Sequence, residues 1–130
     1  MVVMDTHIWW WAISEPAQLF RRARSLLAKT PPEQRVIASI SIWEFAMMVT
    51  RGRIQLTISP DEWLDYAISK TGITILNLDS RTALESCNLP GKFHKDPADR
   101  IIVATARIHQ AKLITRDQKI IDYPHVTTVW

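Results

Sequence analysis

Short apolar runs alternate with amphipathic helical stretches along the whole sequence. That alternation is the signature of βαβ units, whose strands must pair in parallel beneath crossover helices. Val2 to Asp5 reads as a first short strand. Leu19, Ala23, Leu26 and Leu27 then space one buried helical face, which the Thr30-Pro31-Pro32 turn ends. Val36 to Ile40 reads as a second strand, and Ser41 opens a helix to about Thr50. Ser59-Pro60-Asp61-Glu62 supplies an N-cap, a first-turn proline and an acid at the third position. The helix it starts carries Trp63, Leu64, Ala67 and Ile68 and stops at Gly72. Ile73 to Leu78 is a third strand, and Asp79 caps a short helix through Cys87. After a loop over 88–95, Asp96 starts a helix with Ile102, Val103, Ala106 and His109 facing inward. Lys112 to Thr115 is a fourth strand, Asp117 begins a helical turn, and Val126 to Val129 is a fifth strand. These elements predict one domain over 1–130: a three-layer α/β/α sandwich of the α/β class, with a mostly parallel sheet of four to five strands.

A chain of 130 residues, 47% apolar, can bury a real core without staples. Cys87 is the only cysteine, so no internal disulfide can form, and it reads as a small buried hydrophobe. No signal-peptide core precedes Asp5, and no apolar run approaches a membrane span, so a cytoplasmic protein is expected. The formal charge of +3 and the pI of about 9.3 permit a polyanionic partner without requiring one. Arg21, Arg22 and Arg24 cluster in one segment, Arg51 and Arg53 in another, with Arg100, Arg107 and Arg116 further on. Each group also suits a solvated helix face.

Four acids stand out by position. In a parallel sheet all strands point the same way, and ligands bind at the crevice along their carboxyl ends. Asp5 closes the first strand, Glu44 sits one turn into the helix after the second, and Asp117 follows the fourth. Asp99 opens a helix that begins near the same edge. Each acid has a local explanation as well. Ser41-Ile42-Trp43-Glu44 matches a capping box, Asp96 and Asp117 suit N-caps, and Asp99 suits the positive end of its helix. Capping does not explain why four acids should converge. Gathered carboxylates repel one another and need either a cation or raised pKa values. Mg²⁺ prefers such all-oxygen sites. Zinc would call for His and Cys at ligand spacing, which His7, His94, His109 and His125 do not supply. His94 is a candidate for a phosphate contact.

Four segments carry a family resemblance. Asp5-Thr6-His7-Ile8-Trp9-Trp10 resembles the opening motif of PIN-domain proteins, and Ser39-Ile40-Ser41-Ile42-Trp43-Glu44 their second. The run from His94 through Asp96, Asp99 and Arg100 to Ala106 is similar to their third, and Leu113-Ile114-Thr115-Arg116-Asp117 to their fourth. The four occur in order across nearly the whole chain, and within the family the likeness is to VapC-like toxins of toxin–antitoxin pairs. The resemblance implies a PIN-like fold and Mg²⁺- or Mn²⁺-dependent endonucleolytic cleavage of RNA. It also implies a cognate antitoxin partner and a homodimer. Its catalytic and metal-holding set, carried over by position, is Asp5, Glu44, Asp99 and Asp117. Asp96, Thr6 and Thr115 are ancillary, with Thr115 at a hydroxyl position that holds a water or a carboxylate. Arg100 and Arg116 are candidate RNA contacts. In-line attack by an activated water would leave 5′-phosphate and 3′-hydroxyl ends.

The sequence departs from the pattern in two places. Only four residues precede Asp5, and the Trp9-Trp10-Trp11 run is heavier than expected. Three consecutive helical residues cannot all face one core, so at least one tryptophan should reach a surface. The principal alternative is a non-catalytic RNA-binding or interaction module on the same fold. A flap-type DNA nuclease lacks the chain length for its threading helices. A phosphatase would want a second acid two positions after Asp5, where His7 stands.

Overall fold

The computed structural model describes all residues 1–130. The strands are β1 (Val2–Met4), β2 (Arg35–Ala38), β3 (Thr74–Leu76), β4 (Lys112–Ile114) and β5 (Thr128–Val129). The helices are α1 (Thr6–Ser14), α2 (Arg21–Lys29), α3 (Ile40–Thr50), α4 (Pro60–Asp65), α5 (Ser80–Cys87), α6 (Pro97–Ile108) and α7 (Gln118–Ile121). All four strand pairings are parallel, in the order β3-β2-β1-β4-β5. The chain winds outward from β1 to β3 on one side, then returns to place β4 and β5 on the other. The winding therefore reverses between β1 and β4. A crevice opens at the carboxyl ends of two such strands, because their following segments leave toward opposite faces.

The strands alternate faces, and both faces are apolar. Val2, Met4, Ile37 and Ile114 point into one core with α1–α4. Val3, Val36, Ala38 and Leu113 point into the other, against α6 and α7. This two-sided burial is what a parallel sheet requires. The first core centres on aromatics: the Phe45 ring stacks on Trp63 at 4.1 Å, and Trp9 meets both edge-on. Trp63 Nε1 donates to Ser14 Oγ at 2.8 Å, which fixes α4 against the end of α1.

The predicted elements stand with trimmed strands and some corrections, the first being that two helices, α1 and α2, follow β1 and that Leu19 lies in the turn between them. α4 runs on into a single π-type turn, Tyr66–Lys70. It stops at Gly72, whose φ of +72° suits glycine. α3 begins at Ile40, and Ser41 does not cap it. Ser41 lies inside the helix, fully buried, and its hydroxyl is engaged elsewhere. Cys87 is exposed: α5 packs through Thr82 and Ser86, which turns the adjacent position outward. His109 is exposed because α6 ends at Ile108 and the chain turns through Gln110 at φ 50°. The tryptophan run divides as the helical period requires: Trp9 and Trp10 are buried, while Trp11 lies half-exposed. No helix is long and apolar enough to cross a membrane.

Phe45→Ala removes the ring between Trp9 and Trp63. It is expected to cost about 3–5 kcal/mol in urea denaturation, as for other buried aromatic truncations; a loss under about 1 kcal/mol would show that the aromatic cluster does not organise this layer.

Candidate active site

At the point of reversal a cleft of about 570 Å³ is lined by Asp5, Glu44, Asp96, Asp99 and Asp117, with Thr6, His7, Trp11, Arg53 and Arg116 among its other walls. The structure thus brings the four predicted acids and Asp96 to one place. Backbone geometry does most of the aiming. Asp5 N donates to Ile114 O at 3.0 Å, extending the β1–β4 ladder by one residue before α1 begins. Asp5 is only 8% exposed. Its Oδ1 accepts from Thr6 N (2.8 Å) and its Oδ2 from Thr115 Oγ1 (2.7 Å). Thr115, fully buried at the end of β4, also accepts from Asp117 N at 3.0 Å. One hydroxyl therefore reaches across 110 residues of sequence to the first acid while holding the amide of the last.

Thr6 does the same for the second acid. Its Oγ1 donates to Glu44 Oε1 at 2.6 Å and lies 2.9 Å from Ser41 Oγ. A hydroxyl has one proton to give, so Ser41 supplies the other bond. Glu44 therefore reaches across to α1 instead of closing a capping box on its own helix. Asp96 and Asp117 do cap their helices, accepting from Ala98 N and Lys119 N. Both still border the cleft, so capping and site membership coincide.

Asp99 is pushed far above the ordinary aspartate range. Burial raises it first, followed by the charges of Asp5, Asp96, Glu44 and Asp117, and its pKa reaches about 8. Burial likewise raises Asp5 and Glu44, against the hydrogen bonds that favour their ionised forms. His94 Nε2 stands 3.0 Å from Asp99 Oδ2. That nitrogen is buried without an aligned hydrogen bond.

Arg100 has a different task from the one expected. Its guanidinium donates to the carbonyls of Ser86, Phe93 and His94, which pins the 88–95 loop to α6 and delivers His94 to Asp99. Arg116 is exposed at the cleft wall, 5.7 Å above the Trp11 ring. The positioning role of Ser41 is not legible from the sequence. Its place three residues before Glu44 points to a capping box, and only the packing of α1 on α3 reveals the other partner.

No three His, Cys, Asp or Glu side chains stand together in metal-ligand geometry. Several acids are held by their own donors, as described. The donor set is nonetheless all oxygen and mutually repulsive, which fits a hard cation that keeps part of its water shell. Asp5, Glu44, Asp99 and Asp117 are the groups that would hold one.

Fold and cleft together define a class: a parallel α/β/α domain with an all-carboxylate centre at the reversal of its sheet. The PIN domain family model matches residues 2–126, and the chain belongs to that family. It is 31% identical to Ribonuclease VapC22 of Mycobacterium tuberculosis, over 99% of this chain and 98% of the relative. A toxin–antitoxin complex from Klebsiella pneumoniae superposes with a TM-score of 0.69 at 26% identity, covering 98% of this chain and 97% of that one. VapBC2 from Rickettsia felis, solved on a promoter DNA fragment, gives 0.68 at 19% identity, over 99% and 98% of the two chains. At that identity the likeness speaks for the fold alone.

The pKa of Asp99 has a consequence for stability. Folded, the group ionises near 8, against 3.8 for an ordinary aspartate. The unfolded chain therefore gives up this proton first as pH rises. The stability associated with protonated Asp99 is complete below about 4 and is lost as pH climbs through about 8. Cation-free protein is expected to melt at lower temperature at pH 8 than at pH 6, and Asp99→Asn to flatten that slope. Melting curves in EDTA test this, and an unchanged slope in the variant would remove Asp99 as its source.

Proposed function

We propose that this chain is a Mg²⁺- or Mn²⁺-dependent endoribonuclease acting as the toxin of a toxin–antitoxin pair. The observation that carries the reading is the convergence of Asp5, Glu44, Asp99 and Asp117 on one cleft, with Asp99 raised to about 8 by burial and by its acidic neighbours. The resemblance to a VapC ribonuclease over the whole chain supports it. A bound divalent cation would polarise a phosphate oxygen and make a water acidic enough to attack phosphorus.

The chain's own residues do the rest. Thr115 and the Thr6 amide hold the two Asp5 carboxyl oxygens in place as oxygen donors. Thr6 aims Glu44 across the cleft, where its free oxygen orients an attacking water or takes its proton. Asp99 and Asp117 complete the acidic wall. Arg116, at the rim, is placed to hold a phosphate flanking the cut. Water is the nucleophile, so the products carry 5′-phosphate and 3′-hydroxyl ends and the 2′-hydroxyl takes no part.

The partners we assign are RNA as substrate, a cognate antitoxin, and a second copy of the chain. The toxin–antitoxin complexes among the structural neighbours support the antitoxin. An apolar shelf of Ile40, Trp43, Met47 and Pro97 adjoins Glu44 and Asp96 at the cleft mouth, with Trp43 57% exposed. A protein covering that shelf would close the cleft. The non-catalytic alternative retains the fold and the RNA but not the turnover.

Purified protein is expected to cleave RNA with Mg²⁺ or Mn²⁺ and to stop in EDTA. Asp5→Asn should lower the rate by roughly a hundredfold or more, since even groups behind the ligands of a metal site cost 10–100-fold. End-labelled products on a sequencing gel report both rate and end chemistry. Cleavage that persists in EDTA, or in Asp5→Asn, would sink the mechanism.

A further inference from the structure

A line of rings leaves the acidic cleft on the Arg116 side. Trp11 and Arg116 form part of the cleft wall, with the guanidinium 5.7 Å above the indole. The Trp130 ring lies 6.0 Å beyond Trp11, and the Phe20 ring 5.8 Å beyond Trp130. Trp11 and Trp130 are half-exposed, and Phe20 is 62% exposed. Phe20 directly precedes Arg21 and Arg22, both exposed at the start of α2. Neither these two arginines nor Arg116 has a carboxylate within salt-bridge distance, the arginine–carboxylate pair in the molecule being Arg107–Glu85.

Trp11 and Trp130 pack partly against the first core, whereas the 62% exposure of Phe20 and three arginines without a carboxylate partner are not explained by it. Aromatic rings interleaved with free arginines match one chemistry well. Unstacked nucleobases lie on the rings, and the phosphates between them meet the guanidinium groups. A duplex keeps its base faces covered by stacking and cannot use such a row.

We infer that Trp11, Trp130 and Phe20, flanked by Arg116, Arg21 and Arg22, form a track that takes single-stranded RNA out of the cleft. This rests on the nuclease reading above and adds to it the residues that hold the flanking strand and the side on which it leaves. The track supplies affinity with little sequence preference, because every base has a face to stack.

The test uses the full chain in EDTA, so that binding is read without cleavage. Fluorescence anisotropy follows a fluorescein-labelled oligoribonucleotide of mixed sequence, single-stranded or annealed to its complement. Single-stranded RNA is expected to bind more tightly than the duplex. Phe20→Leu, which keeps an apolar side chain but removes the ring, should weaken it about tenfold, and Phe20→Trp should restore it. Arg21→Gln with Arg22→Gln should make the salt dependence shallower, by about 0.7 in log–log slope for each phosphate that is no longer neutralised. Melting temperatures matching the parent show that these surface variants fold. Equal affinity for duplex and single strand, parental affinity in Phe20→Leu, or no RNA binding by the parent would overturn the track. Cleavage by the same proteins in Mn²⁺ separates the two readings. Binding that depends on Phe20 in a chain that cuts no RNA keeps the track and fails the nuclease. Metal-dependent cleavage by a chain whose binding ignores Phe20 does the reverse.

Discussion

Mutual repulsion among carboxylates that the fold will not let separate governs the rest of this molecule. Asp5 is buried at the end of β1, Glu44 and Asp99 are partly so, and Asp96 and Asp117 close the ring. Ionised together in a poorly solvated cleft, they would destabilise the chain, and burial with this repulsion pushes the Asp99 pKa up to about 8. The structure limits the cost with hydrogen-bond donors. The Thr115 hydroxyl and Thr6 amide serve Asp5, the Thr6 hydroxyl serves Glu44, and the Ala98 and Lys119 amides serve Asp96 and Asp117.

Three helices meet the cleft with their amino ends. Asp5 stands at the N-cap of α1, Asp96 at that of α6 with Asp99 in its first turn, and Asp117 at that of α7. The unpaired amides of a helix start carry partial positive charge and favour anions nearby. The residues that begin these helices are therefore also the residues that make the cleft acidic. A parallel sheet arranges this without further instruction, since the helices that follow its strands start at the strands' carboxyl edge. Winding outward from β1 in both directions places two such starts side by side, at β1 and β4.

The sequence carries the order of elements because both of its periodicities are strong, with Val2-Val3-Met4 and Leu113-Ile114 as apolar runs and Ser59, Asp79 and Asp96 as cap signals. It carries the acids because each stands at a boundary between elements, where position along the sheet edge can be inferred. What it does not carry is partner choice. Ser41 looks like a cap because the next turn holds Glu44, yet both side chains turn to Thr6, 35 and 38 residues away. Arg100 looks free because its three acceptors are backbone carbonyls, which no side-chain pattern reveals. Cys87 closes α5 and His109 stands just past the end of α6, where the buried stripe runs out and one residue decides the face.

The distribution of charge bears on how the proposed chemistry is kept in check. The chain is basic overall, at +3, yet five carboxylates line its cleft. A polyanion drawn to Arg21, Arg22 and Arg116 therefore meets repulsion at the place where it would be cut. On the nuclease reading, only a divalent cation reverses that sign, so cation and scissile phosphate favour each other in the cleft while the arginines act mainly on the flanking strand. Affinity and cleavage then reside in different residues. A protein partner that covers the cleft mouth near Trp43 would deny the phosphate its place and still leave the Phe20 end of the molecule open.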